Sequence, residues 1–370
     1  MNTVLIFRSA ALGDFILATP ALAQIRRHFP ERHLLLLTTT SSDEAQRAKV
    51  AAYAGSAPSL QRSLPWTVMA TPHLIDETLV VSNLASFGGI RLARKELQRH
   101  TFECALMLLD PCSPWPGRLK KWMMLWLVTR GAPILGWRAP GSFNGNRERL
   151  RSAGLLSHHV HGPMQFLNEM KPSRLKTPDA EIRFDLRPDG AAMEWANAWV
   201  EQYVTGRRLV AVAPGSIQPH KRWPIDRFEK LCQSILEQYL DIVMVVIGTP
   251  GDVELGERLQ ALNPLRVHNL AGKSSITQSA ALLARTSLLV GNDGGAMHLG
   301  DAMGTRVVSI IPGLEYPDSI EPWHNQQRAV RHPVPCAPCY SFAYCPQGHN
   351  NCMRELPVEP VLQQCHLALE

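Results

Sequence analysis

Between residues 287 and 304 the sequence reads SLLVGNDGGAMHLGDAMG: an apolar run, Leu288, Leu289 and Val290, stops at Gly291, and a helical pattern starts after Gly295. That order describes a strand, a tight loop and a helix. Gly291, Gly294 and Gly295 allow backbone angles and close approaches that a Cβ would forbid. A helix beginning there turns unpaired N–H groups and the positive end of its dipole toward the loop, which suits an anion and most often a phosphate. An ordinary turn capped by Asp293 is the plainer reading of a glycine pair taken alone.

Two further stretches bear on that corner. APGSIQPHKRWPIDRF (213–228) also follows a strand; Gly215 and Ser216 can offer backbone and hydroxyl donors, and Lys221 and Arg222 bring two positive charges to the same loop. By themselves they read as a solvated pair; in one domain with the glycine corner they make a second wall for a diphosphate. Near the N-terminus, Gly13 and Asp14 sit where a first strand hands over to a first helix. Asp14 is either a helix cap or a carboxylate facing a cleft. Displacement at a sugar carbon by an acceptor hydroxyl needs one base and one good leaving group, so a single carboxylate facing a bound diphosphate suffices.

A third cluster is C-x2-C-x5-C-x6-C, formed by Cys336, Cys339, Cys345 and Cys352 with His349 between the last two. Four thiolates would satisfy tetrahedral zinc or iron; a reduced cluster packed in a loop is the other reading, and both stay open.

The elements that position these residues follow from periodicity. Val4–Phe7 reads as a buried strand, 8–14 as a turn, and the stretch from Phe15 to His28 as a helix; further strands are expected at 34–37, 67–70, 77–81, 105–109 and 134–137, with helices at 88–99 and 119–129. This alternation predicts a parallel sheet covered on both faces. Loop-like composition at 139–160 and prolines within 171–190 place a linker there. A second alternation follows, with strands at 208–213, 242–247, 267–270, 287–291 and 306–311 and helices at 225–239, 252–262, 276–285 and 296–303. The expected fold is α/β, two Rossmann-like doubly wound domains facing a central cleft: 1–175, 190–355, and a C-terminal helix in 356–370 packing back towards the linker.

At 370 residues, 45% hydrophobic and 19% charged, the chain is long enough for two separate cores. Its formal charge of +6 and pI of about 9.0 suit anionic substrates or an anionic membrane surface. No helix-turn-helix or zinc-finger spacing is present, so nucleic acid is not an expected partner. The N-terminus lacks a basic leader and reads as a first strand, so a cytoplasmic location and reduced cysteines are expected. Trp122–Val128 (WMMLWLV) is too short to span a bilayer; a buried helix is favoured over a membrane-surface contact.

The combination of LGDFILATPAL, PGSIQPHKRWP, LAGKSSITQSAALLARTSLLVGNDGGAMHLGDAMG and CAPCYSFAYCPQGHNNCM resembles glycosyltransferase family 9, the ADP-heptose:lipopolysaccharide heptosyltransferases. The resemblance covers both halves of the chain. It implies a GT-B architecture whose first domain binds acceptor and whose second binds the nucleotide sugar, with inversion at the anomeric carbon. By position, Asp14 matches the catalytic base, Ser216, Lys221 and Arg222 the phosphate-contacting loop, and Asp293, Gly294, Gly295 and His298 the donor-sugar and pyrophosphate corner. Glu254 matches, more loosely, the acid on the ribose; Met244, Ile247, Leu270 and Ala271 lie around the base or are plain core. Many members read Asp-Ser-Gly where this chain has Asp293-Gly294-Gly295, so one hydroxyl near the phosphates is missing.

The implied partners are ADP-heptose, a lipid A and inner-core lipopolysaccharide acceptor, and peripheral contact with the anionic cytoplasmic face of the inner membrane. Arg91, Arg94, Lys95, Arg118, Lys120 and Lys121 could meet acceptor phosphates. Catalysis needs no metal cofactor in such a site. Two other readings stay open: another enzyme on the same fold, either a family member using another nucleotide sugar or a protein acceptor or a nucleotide-sugar epimerase, and a non-catalytic nucleotide-sugar or lipopolysaccharide-binding protein.

Overall fold

The computed structural model of the protein describes residues 2–8, 11–39, 60–109, 115–137, 158–166, 169, 182–341 and 343–370. The loop-like stretch 139–160 and the linker 171–190 fall largely outside the described residues, as does Cys112. The chain divides into two compact units, Met1–Arg187 and Pro188–Glu370.

In the first unit β1 (Asn2–Phe7), α1 (Leu12–His28), β2 (His33–Thr38), β3 (Leu60–Gln61), β4 (Glu77–Val81), α2 (Phe87–Glu96), β5 (Thr101–Met107), α3 (Trp115–Val128) and β6 (Ile134–Leu135) follow one another. The strands lie in the order β3-β4-β2-β1-β5-β6, parallel except for β3 on β4. Strands buried on both faces read as unbroken apolar runs. Leu34–Leu37 is such a run, buried throughout, with Leu34 opposite Val4 and Leu37 opposite Phe7. Leu5, Phe7, Leu35 and Leu37 face Ala93 and Leu97, from α2 and just beyond it, and Met124, Leu125 and Val128 of α3 in one core.

Helix α1 begins at Leu12, three residues before the expected Phe15, and carries Pro20 inside it. A proline removes the N–H that would bond the carbonyl four residues back. Here that carbonyl, on Ile16, receives the Thr19 hydroxyl at 2.8 Å instead.

Two expectations are corrected in this unit. Residues Thr67–Ala70 form a 3-10 turn and not a strand: the Thr67 hydroxyl accepts from the Leu64 N–H at 3.1 Å and donates to its carbonyl at 3.0 Å. Four residues, three of them apolar, carry no period able to distinguish the two. The WMMLWLV stretch is helical as expected but not a buried helix, since only Met124, Leu125 and Val128 of it are buried.

The second unit contains α4 (Gly190–Tyr203), β7 (Arg208–Ala213), α5 (Ile225–Gln238), β8 (Ile242–Val246), α6 (Val253–Gln260), β9 (Val267–Asn269), α7 (Ile276–Leu283), β10 (Leu288–Asn292), α8 (Gly295–Ala302), β11 (Arg306–Ile310), β12 (Ala329–Val330), α9 (Asn351–Arg354) and α10 (Val358–Leu369). Its sheet runs β12-β11-β10-β7-β8-β9 with every described pair parallel. Counted within the unit, this is the doubly wound order 3-2-1-4-5-6, whose direction reverses between its first and fourth strands, β7 and β10. Helix α10 packs within this unit: Val361, Cys365, Ala368 and Leu369 join the core of β7, β8, β10 and α5, and Arg208 donates to the Leu369 carbonyl at 3.0 Å.

Candidate functional site

Ligands of doubly wound sheets bind beyond the carboxyl ends of the strands where the order reverses. In the second unit that point lies between β7 and β10, and the loops leaving those two strands are the ones carrying Ser216, Lys221 and Arg222 and Asp293, Gly294 and Gly295. The strands must come close for the loops to converge. Gly291 stands opposite Ala213, where a Cβ would lie 2.3 Å from the Ala213 carbonyl oxygen. Asn292 then joins the loops: its side chain accepts from the Trp223 N–H at 2.9 Å and donates to the Pro214 carbonyl at 2.7 Å.

Between these walls Lys221 donates from Nζ to Asp293 Oδ2 at 2.8 Å, and both side chains are largely buried. Burial alone would push the Asp293 carboxyl up, but the Lys221 ammonium, through charge and hydrogen bond, together with His298 and Arg331, holds it below the usual carboxylate range. Asp293 is therefore not the helix cap: Gly294 occupies that position on α8 without any side-chain cap. The first turn of α8 keeps its positive dipole end toward the loop. Gly294 is extended, and the nearest atom to a Cβ there would be the Asn292 carbonyl at 4.0 Å.

Arg222 turns back on its own loop, donating from Nε to the Ser216 carbonyl at 2.8 Å and lying 4.0 Å from Asp252 Oδ1. Asp252 went unnoticed in the sequence. It is buried, accepts from the Thr249 N–H and hydroxyl at 2.8 and 2.7 Å, and sits so close under the loop that a Cβ on Gly215 would meet its carboxylate at 2.3 Å. The signal was present as Thr249-x-x-Asp252, a capping box. Glu254, two residues on, is exposed in the first turn of α6. Met244, Ile247 and Ala271 are core. His298 is buried in α8.

The loop after β11 borders the corner, since the Asp293 N–H bonds the Ile310 carbonyl at 3.0 Å. Arg331 secures that loop, donating to the carbonyls of Pro312 at 3.2 Å and Glu315 at 3.0 Å and to Glu321 Oε1 at 2.9 Å. The cysteine segment leans on it too: Cys339 N–H bonds the Gly313 carbonyl at 3.0 Å. Cys336, Cys339, Cys345 and Cys352 are free thiols, and Cys336 Sγ lies 4.0 Å from His349 Nε2. Burial, with the other three thiols adding, pushes the Cys352 thiol up. As placed, no three His, Cys, Asp or Glu side chains among the described residues converge to hold a metal ion.

Asp14 lies in the first unit, in the first turn of α1, after the carboxyl end of β1. The cap position belongs to Ala11 without a side-chain bond, so the capping alternative does not hold. Its side chain is about half exposed, with Arg8 Nη2 3.9 Å from Oδ1. Arg8 also donates to the Asp14 carbonyl at 3.2 Å and to that of Leu108 at 2.8 Å, tying together the ends of β1 and β5, where this sheet's order reverses. Of the cations assigned to an acceptor, Arg118 is buried and donates to the Trp137 carbonyl at 3.2 Å; Arg91, Arg94, Lys95 and Lys120 are exposed.

The second unit is thus a doubly wound α/β unit whose two switch-point loops converge at a helix start, the class of fold that binds ligands at that point and anions at such a helix end. The family of glycosyltransferase family 9 (heptosyltransferase) matches residues 116–345, and the chain belongs to that family. Lipooligosaccharide heptosyltransferase 2 of Campylobacter jejuni is 28% identical over 163 residues, 43% of this chain and 50% of that protein. The chain thus spans about half the length of the curated relatives it matches. Among solved structures, ADP-heptose lps heptosyltransferase II of E. coli superposes with a TM-score of 0.64 at 16% identity, covering 100% of this chain and 98% of that one. The iron-containing dodecameric glycosyltransferase TibC of enterotoxigenic E. coli does so at 0.53 and 13%, covering 99% and 76%. These likenesses show the shared fold, two Rossmann-like units of GT-B type.

Proposed function

We propose that the chain is an inverting glycosyltransferase that moves heptose from ADP-heptose to a hydroxyl of the lipopolysaccharide inner core. The observation that carries this reading is the buried Lys221–Asp293 pair beside the uncapped start of α8. A buried ion pair has a large desolvation cost, and a diphosphate arriving at this corner gives Lys221 a second anionic partner. The donor named for the E. coli structure of like fold is an ADP-heptose, and the name of the Campylobacter jejuni relative supplies the lipooligosaccharide acceptor class.

In the reaction, Asp14 takes the proton of the acceptor hydroxyl as its oxygen attacks the anomeric carbon from the face opposite the diphosphate. The bond from that carbon to the ADP oxygen breaks, and its electron pair leaves with ADP. Lys221, Arg222, Ser216 and the amides at Gly294 and Gly295 meet the charge that grows there, fixed before the reaction begins. Asp293 and His298 orient the sugar, and Glu254 is assigned to the ribose. The acceptor phosphates fall to exposed cations of the first unit, and the protein works at the cytoplasmic face of the inner membrane. A structural zinc or iron on the four cysteines requires the thiols to draw together from their present places, and no step of transfer is assigned to it.

Asp14→Ala is expected to bind ADP as the wild type does, by calorimetry, and to lose transfer from ADP-heptose about 10²–10⁴-fold. An Asp14→Ala protein that transfers at the wild-type rate removes Asp14 as base; tighter binding of UDP than ADP removes the adenine nucleotide.

A further inference from the structure

Helix α3 is amphipathic in an unusual sense, because both of its faces are apolar. One face supplies Met124, Leu125 and Val128 to the core. The opposite stripe leaves Trp115, Leu119, Met123, Trp126 and Leu127 exposed by 53, 39, 49, 46 and 38%. Spacings of four, four and three to four residues put these side chains on one line along the helix. The neighbouring α2, which packs against α3, begins with Phe87, 84% exposed. Single exposed apolar residues need no explanation, whereas a contiguous row of large ones marks a surface that is covered in use.

The charges around the row are of one sign. Helix α3 contains no acidic residue, and Lys120 on it is exposed. Along α2, Arg91, Arg94 and Lys95 are exposed at the spacing of a single helix face running on from Phe87. None of these four cations has an ion-pair partner among the described residues. The one acid of α2, Glu96, is taken by Arg62 at 3.3 Å.

We infer that the outer faces of α2 and α3 form a docking surface for an anionic phospholipid bilayer. Tryptophans, Met123 and the leucines of α3 enter the headgroup boundary while Phe87 joins them from α2, and Arg91, Arg94, Lys95 and Lys120 meet lipid phosphates. The helix lies in the interface and does not cross it: no helix among the described residues is long and apolar enough to span a membrane. A second copy of the chain is the other occupant of such a row, but a two-fold contact through this face would set its cations against the same cations of the partner. The inference rests on the proposed function, which puts the protein at the cytoplasmic face of the inner membrane and gives these same cations to acceptor phosphates; neither donor nor acceptor enters its test, so the two readings fail separately.

The test is co-sedimentation of the whole protein with phosphatidylcholine vesicles with and without phosphatidylglycerol, at low and high salt, beside sedimentation velocity without lipid. Binding is expected only with phosphatidylglycerol, weakened by salt. Leu119→Ser with Met123→Ser, and separately Arg91→Gln with Lys95→Gln, should each lower partitioning about tenfold or more. The charge variant alters no buried group, so it decides the matter if the apolar variant loses its cooperative melt. Wild-type protein that ignores phosphatidylglycerol vesicles, or a charge variant that binds them as the wild type does, overturns the inference. So does a dimer that Leu119→Ser with Met123→Ser converts to monomer, which would make this face an interface between copies.

Discussion

Gly294 is the residue at which this chain departs from the Asp-Ser-Gly of many family members. Its extended backbone and the open space around it mean that a serine fits without strain, and serine is a better helix cap than glycine by a few tenths of a kcal/mol. Gly294→Ser should therefore leave stability unchanged within about 0.5 kcal/mol. It should tighten ADP binding by roughly one added hydrogen bond, about 0.5–1.5 kcal/mol, measured by calorimetry. Unaltered affinity would mean that backbone donors already satisfy the phosphates. Asp293 next to it makes a different prediction. Its carboxyl titrates below the ordinary value of 3.8 in the folded protein, so its contribution to stability is full above that value and is lost as pH falls through the lower folded one. In Asp293→Asn the acid side of a denaturant-midpoint profile should flatten while the rest of the curve shifts down, because the largely buried Lys221 ammonium loses the carboxylate charge at 2.8 Å. At this scale the glycine corner and the Lys221-Arg222 loop were legible because both follow apolar strand runs. Asn292 and Arg8 were not, because their roles depend on which strands become neighbours, and nothing local in the chain says that β7 lies beside β10 or β1 beside β5; Asp252 was legible as half of a capping box but not as the carboxylate under Gly215.

Elements were easiest to read where burial is two-sided. The runs LLLL of β2 and IVMVV of β8 have one physical use, the middle of a parallel sheet. They were hardest where a short apolar stretch fits two structures: Thr67–Ala70 is decided by a hydroxyl closing a turn on Leu64, and α3 by how much of its girth the sheet can cover. The two-residue strands β3 and β12 have no period at all. Helix α1 shows a dependence that can be measured. With Pro20 in place, the buried Ile16 carbonyl relies on the Thr19 hydroxyl, and Thr19 is itself fully buried. Thr19→Val keeps the shape and removes the donor, so the carbonyl bears its desolvation without a partner, and the loss should be about 1–3 kcal/mol by chemical denaturation. The same substitution combined with Pro20→Ala, which restores the backbone N–H donor to that carbonyl, should recover much of the loss. Failure of the pair to couple would mean that Thr19 matters through packing alone.

For the molecule as a whole, the consequence of the two-unit division is that donor holding and proton removal are assigned to different units. Everything proposed to grip the diphosphate, from Ser216 to His298, lies within Pro188–Glu370. That unit closes its own core: α10 covers β10 and β11 and packs on α5, Tyr239 bonds His366 at 2.9 Å, and Trp223 donates to the Leu356 carbonyl at 2.9 Å. A fragment comprising residues 188–370 therefore has the core, the switch point and the buried Lys221–Asp293 pair of the proposed ADP site. It is expected to unfold cooperatively and to bind ADP within about tenfold of the whole protein, a difference of at most about 1.4 kcal/mol, while transferring no sugar because Asp14 is absent. Adding Lys221→Ala to the fragment should then weaken ADP binding as much as it does in the full chain, since the lysine's partner travels with it. A fragment that melts cooperatively yet fails to bind ADP would place part of the nucleotide site in residues 1–187. Binding that survives in the fragment but ignores Lys221 would move the diphosphate away from the glycine corner.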